Sequence, residues 1–155
     1  MGHKPYFLEI PGAPGPLTAT VARPVRFEEV DALGIVWHGR YASYFEDARV
    51  ALGAKYGIGY LDFHRQGIAV PLKILHVDFM LPLTFGEEMF IEASLHWNEA
   101  ARLNHSYVIH NAQGDVTTTG YTVQLFLDPD HQLLVTPTDF LQEFLDRWKA
   151  GKVMP

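Results

Sequence analysis

An acidic residue and a histidine lie seven positions apart in the segment VDALGIVWHGRYASYFEDAR, residues 30–49. Asp31 is followed by a mainly apolar run up to Trp37, and His38 comes next. A carboxylate held among apolar side chains is a stronger base or nucleophile than a solvated one, because its charged form loses water contacts. The alternative is an exposed turn residue that interacts favourably with a nearby helix N-terminus. The residues alone leave both interpretations open.

The segment after Asp31 could also supply hydrogen-bond donors. If a helix begins near His38 or Gly39, its first backbone N–H groups lack partners inside the helix and would stabilise a developing oxyanion. An acid beside such donors suits acyl transfer. Gly34 and Gly39 would allow a positive φ angle or a close backbone approach there. The His38 imidazole could bind a thioester, a leaving thiolate or a water molecule, or it could be a solvated side chain at the helix start.

Apolar periodicity predicts the helix that would position these groups. Residues spaced i, i+3, i+4, i+7 and i+11 share one helix face, and here they predict a helix over 39–56. Gly57 and Gly59 are expected to end it. The apolar face consists of Tyr41, Tyr44, Phe45, Ala48 and Leu52.

The remaining patterns predict an α+β domain. We expect a first strand over 18–27, a short helical turn over 60–67, and a closing helix within 138–151. Period-two alternation predicts four further strands, over 70–81, 88–97, 102–110 and 116–127. The links LTFGE, NEAA and NAQGD are short enough for hairpins, so the strands are expected to pair antiparallel. Residues 1–17, rich in proline and glycine, are expected to form a flexible arm before a single domain over 18–150.

The expected layers leave part of the sheet uncovered. One long helix covers only one face of a five-stranded sheet. The second face and a possible sheet edge at Pro24 leave room for another copy of the chain. We therefore expect a homodimer or a homotetramer.

Composition excludes several classes of function. The formal net charge of −6 disfavours nucleic-acid binding, which needs clustered Lys and Arg. The absence of cysteine excludes thiol catalysis and thiolate metal sites, and the eight histidines show no paired metal-binding spacing. No apolar run is long enough to span a membrane, and the N-terminus lacks the apolar region of a signal peptide. We expect a cytoplasmic protein without a metal, a cofactor or membrane insertion.

The segment RFEEVDALGIVWHGRYASYFEDAR resembles the N-terminal signature of hotdog-fold acyl-CoA thioesterases. This group contains 4-hydroxybenzoyl-CoA thioesterase and the bacterial thioesterases associated with the Tol-Pal system. The shared pattern is an Asp, a Gly within three residues, two aliphatic residues, an aromatic residue, a His or Tyr, and a helix carrying YxxYFExAR. The segment HVDFMLPLTFGEE is similar to the family's VEYxxPxxxxD. The resemblance covers roughly residues 18–145.

The resemblance implies a hotdog fold, in which a five-stranded antiparallel sheet wraps around one long helix and a C-terminal helix follows. It also implies hydrolysis of an acyl-CoA thioester to the free acid and CoA. By position, Asp31 would be the nucleophile or the general base, and the amide near His38 would form the oxyanion hole. The substrate-binding positions would be Phe27, Gly34, Val36, Trp37 and Tyr41.

Three further positions follow from the resemblance. Arg102 matches a position where family members often have Arg or Lys, and it would bind the phosphates of CoA; a solvated turn arginine is the alternative. Glu46 and Arg49 match the ExAR element, where a structural ion pair between positions i and i+3 is expected.

One departure bears on the substrate. Phe27 stands where the Tol-Pal-associated branch has a Tyr four residues before the catalytic Asp, which favours an apolar or aromatic acyl group. Two other functions stay open. A hotdog hydratase or dehydratase would need a His and acid pair poised at the acyl chain, and DALGIVWH does not match its usual motif. A non-catalytic acyl-CoA-binding protein would keep the fold without turnover.

Overall fold

Alternating apolar residues build the central sheet in the computed structural model, which describes residues 4–153. The strands are β1 (Leu17–Pro24), β2 (Leu72–Phe79), β3 (Glu88–His96), β4 (Arg102–Asn111) and β5 (Val116–Leu125). The helices are α1 (Tyr41–Tyr56), α2 (Tyr60–Arg65) and α3 (Asp139–Lys149), with short 3₁₀ turns at Phe27–Glu29 and His38–Arg40. The predicted five-stranded antiparallel sheet, long helix and C-terminal helix are confirmed.

The strand order corrects one prediction. The strands lie in the order β1-β3-β4-β5-β2, so β3–β4 and β4–β5 are the expected hairpins. The prediction of a hairpin at LTFGE is wrong, because β2 and β3 are not neighbours. A short link permits a hairpin but does not require one. Residues 80–87 instead cross from one edge of the sheet toward the other, past the start of α1.

α1 packs on the inner face of the sheet through its predicted apolar residues. Tyr44, Phe45, Ala48 and Leu52 are fully buried. The Phe45 ring stacks on Tyr107 of β4, with 4.3 Å between ring centroids and an interplanar angle of 5°. A glycine is required opposite: a Cβ at Gly120 would lie 2.5 Å from the Phe45 ring. The helix backbone lies closest to β1 and β3, and Phe45 reaches across to the middle of β4 and β5.

The N-terminal arm and α3 pack at the sheet's margins. The Thr138 side chain caps α3 by accepting a hydrogen bond from the Leu141 N–H, and Trp148 donates to the Gly15 carbonyl at 3.2 Å. The Tyr6 hydroxyl donates to Asp78 at 2.6 Å, on the outer face of β2. β1 begins at Leu17, the last residue of the expected arm. Residues 1–3 of that arm lie outside the described residues, and its flexibility stays a prediction.

Candidate active site

A tight loop after β1 presents Asp31. The backbones of Val30 and Val36 pair antiparallel, and the Asp31 N–H donates to the Ile35 carbonyl at 2.8 Å. The Gly34 N–H closes the turn on the Asp31 carbonyl at 3.0 Å. Gly34 has a φ angle of +77°, a left-handed conformation that strains other residues. Gly34 therefore shapes the loop through its backbone.

One oxygen of the Asp31 carboxylate is fixed by the loop. Oδ1 accepts a hydrogen bond from the Leu33 N–H at 2.8 Å, which holds the orientation of the side chain. Oδ2 accepts none from residues 4–153, and Asp31 is partly exposed. The carboxylate is thus oriented and keeps one oxygen available for chemistry.

The crossover between β2 and β3 supports this loop from below. Ile35 pairs with Thr84 in an antiparallel bridge, and the Val36 N–H donates to the Leu83 carbonyl at 2.8 Å. Leu83 and Val36 are both buried. Val36, predicted to bind substrate, thus anchors the loop in the core. This crossover takes the place of the predicted hairpin, and it also supports the Asp31 loop.

The chain enters α1 through a 3₁₀ turn at His38–Arg40. In the described chain, the backbone N–H groups of His38 and Gly39 donate no hydrogen bond. The Trp37 ring lies over Gly39 so closely that a Cβ there would be 2.2 Å from it. The Trp37 and His38 rings are 5.1 Å apart. The predicted free amides at the helix start are therefore present, beside an aromatic side chain.

The surface around Asp31 is open and aromatic. Phe27 is 78% exposed and Trp37 is 49% exposed. Phe27 meets Phe85 edge-on, with 5.7 Å between centroids, and the exposed Phe79 meets Tyr41 at 4.9 Å. Tyr41 itself is buried, so it supports Phe79 from beneath. None of the three main cavities in the described protomer includes Asp31, so this site is a surface.

The structure does not bring Arg102 to Asp31 within one protomer. Arg102 begins β4, whereas the Asp31 end of the sheet lies beside Asn111, at the other end of that strand. Ten residues of strand span roughly 30 Å. The Arg102 Nε donates to the Asn104 side chain at 2.9 Å.

An ion-pair cluster around the buried Glu29 lies beneath the site, and the sequence did not predict it. The Arg23 guanidinium contacts the Glu29 carboxylate and the Asp47 carboxylate, each at 2.7 Å. It also lies 5.0 Å from the centre of the Tyr44 ring. Glu29 is buried, and its backbone carbonyl accepts from the Trp37 N–H at 2.9 Å. The cluster joins β1, α1 and the base of the Asp31 loop; no sequence pattern links the three charges.

The predicted ion pair between Glu46 and Arg49 is wrong. Glu46 is exposed, whereas Arg49 is buried and donates to the hydroxyls of Tyr60 and Tyr107. A signal was available, because Arg49 follows Phe45 by four positions and so shares the buried face of α1. Tyr60 and Tyr107 come from α2 and β4, which sequence spacing does not connect to Arg49.

Two further features concern metal binding and membrane-spanning helices. No group of three or more His, Asp or Glu side chains within residues 4–153 is placed to hold a metal ion. Among the helices that the structure describes, none has the length and apolarity needed to cross a bilayer.

Comparison with known proteins gives one family. A model of the thioesterase-like superfamily matches residues 25–145. A 1,4-dihydroxy-2-naphthoyl-CoA hydrolase of Thermosynechococcus vestitus is 24% identical over 124 residues, which cover 79% of this chain and 85% of the relative. The solved DHNA-CoA thioesterase from Staphylococcus aureus is 26% identical, with a TM-score of 0.77 and coverage of 86% of this chain and 91% of that chain. A 1,4-dihydroxy-2-naphthoyl-CoA thioesterase from Synechocystis shares the fold, with a TM-score of 0.74, 18% identity and coverage of 89% and 99%.

Proposed function

The chain belongs to the thioesterase-like superfamily and is a thioester hydrolase, and from this premise we propose that Asp31 carries the reaction on an acyl-CoA substrate. The observation that carries the proposal is the state of the Asp31 carboxylate. Its Oδ1 is held by the Leu33 N–H, and its Oδ2 is free of hydrogen bonds from the described residues. A fixed carboxylate with one available oxygen acts as a base or a nucleophile without first reorganising.

The start of α1 supplies the complementary donors. The unpaired N–H groups of His38 and Gly39 would donate to the thioester carbonyl oxygen as negative charge develops on it. Partial positive charge at the helix start adds to this stabilisation. The His38 imidazole is exposed and is available to a water molecule or to the leaving thiolate.

Two routes satisfy the balance of atoms and electrons. In the first, Asp31 takes a proton from water, the water oxygen attacks the thioester carbon, and the C–S bond breaks to release the CoA thiolate. In the second, Asp31 Oδ2 attacks that carbon and forms an acyl-aspartyl anhydride with release of the thiolate; water then hydrolyses the anhydride. Both yield the free acid and CoA.

An aromatic acyl group fits the surface beside Asp31. The exposed rings of Phe27, Trp37, Phe79 and Phe85 offer edges and faces for stacking. The T. vestitus and S. aureus relatives are named for a 1,4-dihydroxy-2-naphthoyl-CoA substrate and for DHNA-CoA, respectively. We propose an aromatic acyl-CoA as the substrate class.

A second copy of the chain would complete this open surface. β2 pairs with β5 on one side only, so its other edge is free in the protomer. Several large apolar side chains along and after β2 are exposed: Leu72, Ile74, Leu75, Phe79, Met80 and Leu81. We propose at least a homodimer formed at β2, which would place the partner beside the Asp31 loop. The Arg102 side chain that contacts the CoA phosphates at a given Asp31 site would then belong to a second protomer.

The decisive experiment replaces Asp31 by a residue of nearly the same shape. Asp31→Asn removes the base and nucleophile, so we expect CoA release from aromatic acyl-CoAs to fall by about 100-fold or more. Thiol release across aromatic and aliphatic acyl-CoAs is the readout. Asp130→Asn, in an exposed turn, is the matched control and should keep the wild-type rate. Full activity in Asp31→Asn would overturn the role of Asp31, and substrate binding without thiol release by the wild type would indicate a binding protein.

A single turnover in ¹⁸O-labelled water detects the anhydride route when water attacks the aspartyl carbon. Direct attack by water on the thioester, or hydrolysis of the anhydride at the acyl carbon, places the label in the released acid alone. Attack by Asp31, followed by hydrolysis of the anhydride at the aspartyl carbon, places the label in the Asp31 side chain. Mass spectrometry of the peptide containing Asp31 and of the free acid reads out both positions.

A further inference from the structure

A cavity at the opposite end of α1 is separate from the Asp31 surface. It has a volume of about 480 Å³ and lies between the C-terminal half of α1, α2, β4 and β5. Its nearest α1 residue, Arg49, is eight residues beyond Tyr41, or roughly 12 Å along the helix. Much of the lining is apolar, including Val50, Ile58, Leu61, Phe63, Val70 and Leu103. This size is typical of a small-molecule site.

The polar wall of the cavity carries a buried, unpaired positive charge. Arg49 is only 6% exposed, and a guanidinium stays protonated in proteins. Its Nε and Nη2 donate to the Tyr60 hydroxyl at 3.2 and 2.9 Å, and its Nη1 donates to the Tyr107 hydroxyl at 3.0 Å. Among residues 4–153, no carboxylate lies within ion-pair distance of it. Burying a cation without an anion is costly, so this charge requires an explanation.

Among the residues that line the cavity, the one carboxylate already has hydrogen-bond partners. Asp62 accepts from the Gly59 N–H at 2.8 Å through Oδ2 and from Arg65 at 3.0 Å through Oδ1. The charges of Asp62 and Arg65 offset each other. The cavity therefore keeps one positive charge, that of Arg49.

The side chains next to Arg49 offer more hydrogen-bond donors than acceptors. The Tyr60 hydroxyl accepts from Arg49 and from the Gln124 side-chain amide, the latter at 3.1 Å. Its own proton finds no acceptor in these contacts. The Gln124 amide also donates to the Val70 carbonyl at 2.9 Å. An occupant that accepts hydrogen bonds would satisfy this wall.

His105 lies in the same wall and adds no charge to it. It lines the cavity and is 2% exposed. Burial, with a smaller effect of the nearby Arg49 charge, lowers the pKa of His105 to about 3. The imidazole is therefore neutral at physiological pH, and Arg49 alone supplies the charge of this wall.

We propose that this cavity binds a small organic monocarboxylate with an apolar body, whose carboxylate accepts hydrogen bonds from Arg49 and Tyr60. A guanidinium matches the geometry of a carboxylate, and one net positive charge balances one negative charge. The apolar body would lie against the lining of α1 and α2. The proposal does not depend on thioester hydrolysis, although the acid released from a thioester belongs to the same chemical class.

Calorimetric titration of the full chain with decanoate, and with decan-1-ol as its uncharged counterpart, tests the proposal. We expect decanoate to bind about tenfold or more tightly than decan-1-ol, because only the carboxylate pairs with Arg49. Arg49→Met should remove this preference, and Tyr60→Phe should weaken decanoate binding by about fivefold. Tyr60 is 42% exposed, so Tyr60→Phe is a substitution that the fold should tolerate if Arg49→Met does not fold.

Three further variants locate the bound decanoate. Ala54→Trp, at an exposed lining position, should fill the cavity and abolish binding. Tyr121→Phe is the matched control for Tyr60→Phe. It also removes a tyrosine hydroxyl, but on the other face of the sheet, and should leave decanoate binding unchanged. Asp31→Asn should also leave it unchanged, which separates this cavity from the proposed active site. Equal binding of decanoate and decan-1-ol, or binding that is lost in Asp31→Asn and kept in Arg49→Met, would overturn the proposal.

Discussion

Asp31 and Arg49 show which single residues the sequence could assign. The loop that presents Asp31 could be predicted because it is local: the turn, the glycine and the helix start all lie within ten residues of it. The residues alone left the role of Asp31 open, and the family resemblance supplied the prediction that it is catalytic. The environment of Arg49 could not be read in the same way, because its partners Tyr60 and Tyr107 come from other elements. Periodicity places a side chain on the buried face, but it does not identify what that side chain meets.

His105 should make the stability of the folded protein depend on pH. Its pKa is lowered from 6.5 to about 3, mainly by burial, so between these values the unfolded chain binds a proton that the folded chain does not. Stability is therefore fully present above pH 6.5 and is lost as the pH falls toward 3, by up to about 1.4 kcal/mol per pH unit. We expect urea unfolding midpoints in this range to fall more steeply for the wild type than for His105→Gln.

The comparison between variants isolates this effect. The other titratable groups are present in both proteins, so their contributions cancel in the difference. His110→Gln, on the same strand but only partly buried, should retain the slope of the wild type. Parallel pH profiles for His105→Gln and the wild type would contradict the prediction.

At the scale of elements, all five strands and all three helices could be predicted from local sequence, the long helix and the closing helix from the spacing of their apolar residues. What it did not give was the order of strands in the sheet, because a short link between β2 and β3 fits either a hairpin or a crossover. Only long-range contacts distinguish them, such as those of Thr84 with Ile35 and of Leu83 with Val36. These contacts also connect the crossover to the Asp31 loop.

A side chain at Gly39 should displace Trp37 from the start of α1. A Cβ there would be 2.2 Å from the Trp37 ring, so Gly39→Ala must displace the indole, which is half-exposed and free to swing outward. We expect a rise in KM for aromatic acyl-CoAs of about fivefold, from loss of a stacking surface worth roughly 1 kcal/mol, with little change in Tm. Steady-state kinetics and the indole N–H signal of Trp37 in NMR spectra measure the two effects.

Gly15→Ala is the matched control, because no atom lies within 4 Å of a Cβ at that position. It should leave both KM and the Trp37 signal unchanged. If Gly39→Ala matched it in both measurements, Trp37 would have no part in binding the acyl group.

At the scale of the whole molecule, the two edges of the sheet differ in character. β1 consists mainly of small and polar residues and ends at Pro24, which suits an edge that stays unpaired. β2 exposes Leu72, Ile74 and Leu75 along a free edge, a pattern that favours pairing with another chain. Because β2 runs directly into the crossover that supports Asp31, association at β2 and formation of the active site are expected to be coupled.

Activity should therefore depend on protein concentration. Ile74→Lys puts a charge on the exposed β2 edge, so we expect the protein to sediment as a monomer and to lose most thioesterase activity, while its circular dichroism spectrum stays that of the folded protein. Val135→Lys, at a more exposed apolar position outside the sheet, should keep both the oligomer and the rate. Diluting the wild type from micromolar to nanomolar concentration should lower the rate per protomer in step with dissociation measured by sedimentation velocity. A monomeric Ile74→Lys with the full wild-type rate would show that one protomer holds a complete site, and the partner would then have no role in binding the acyl group.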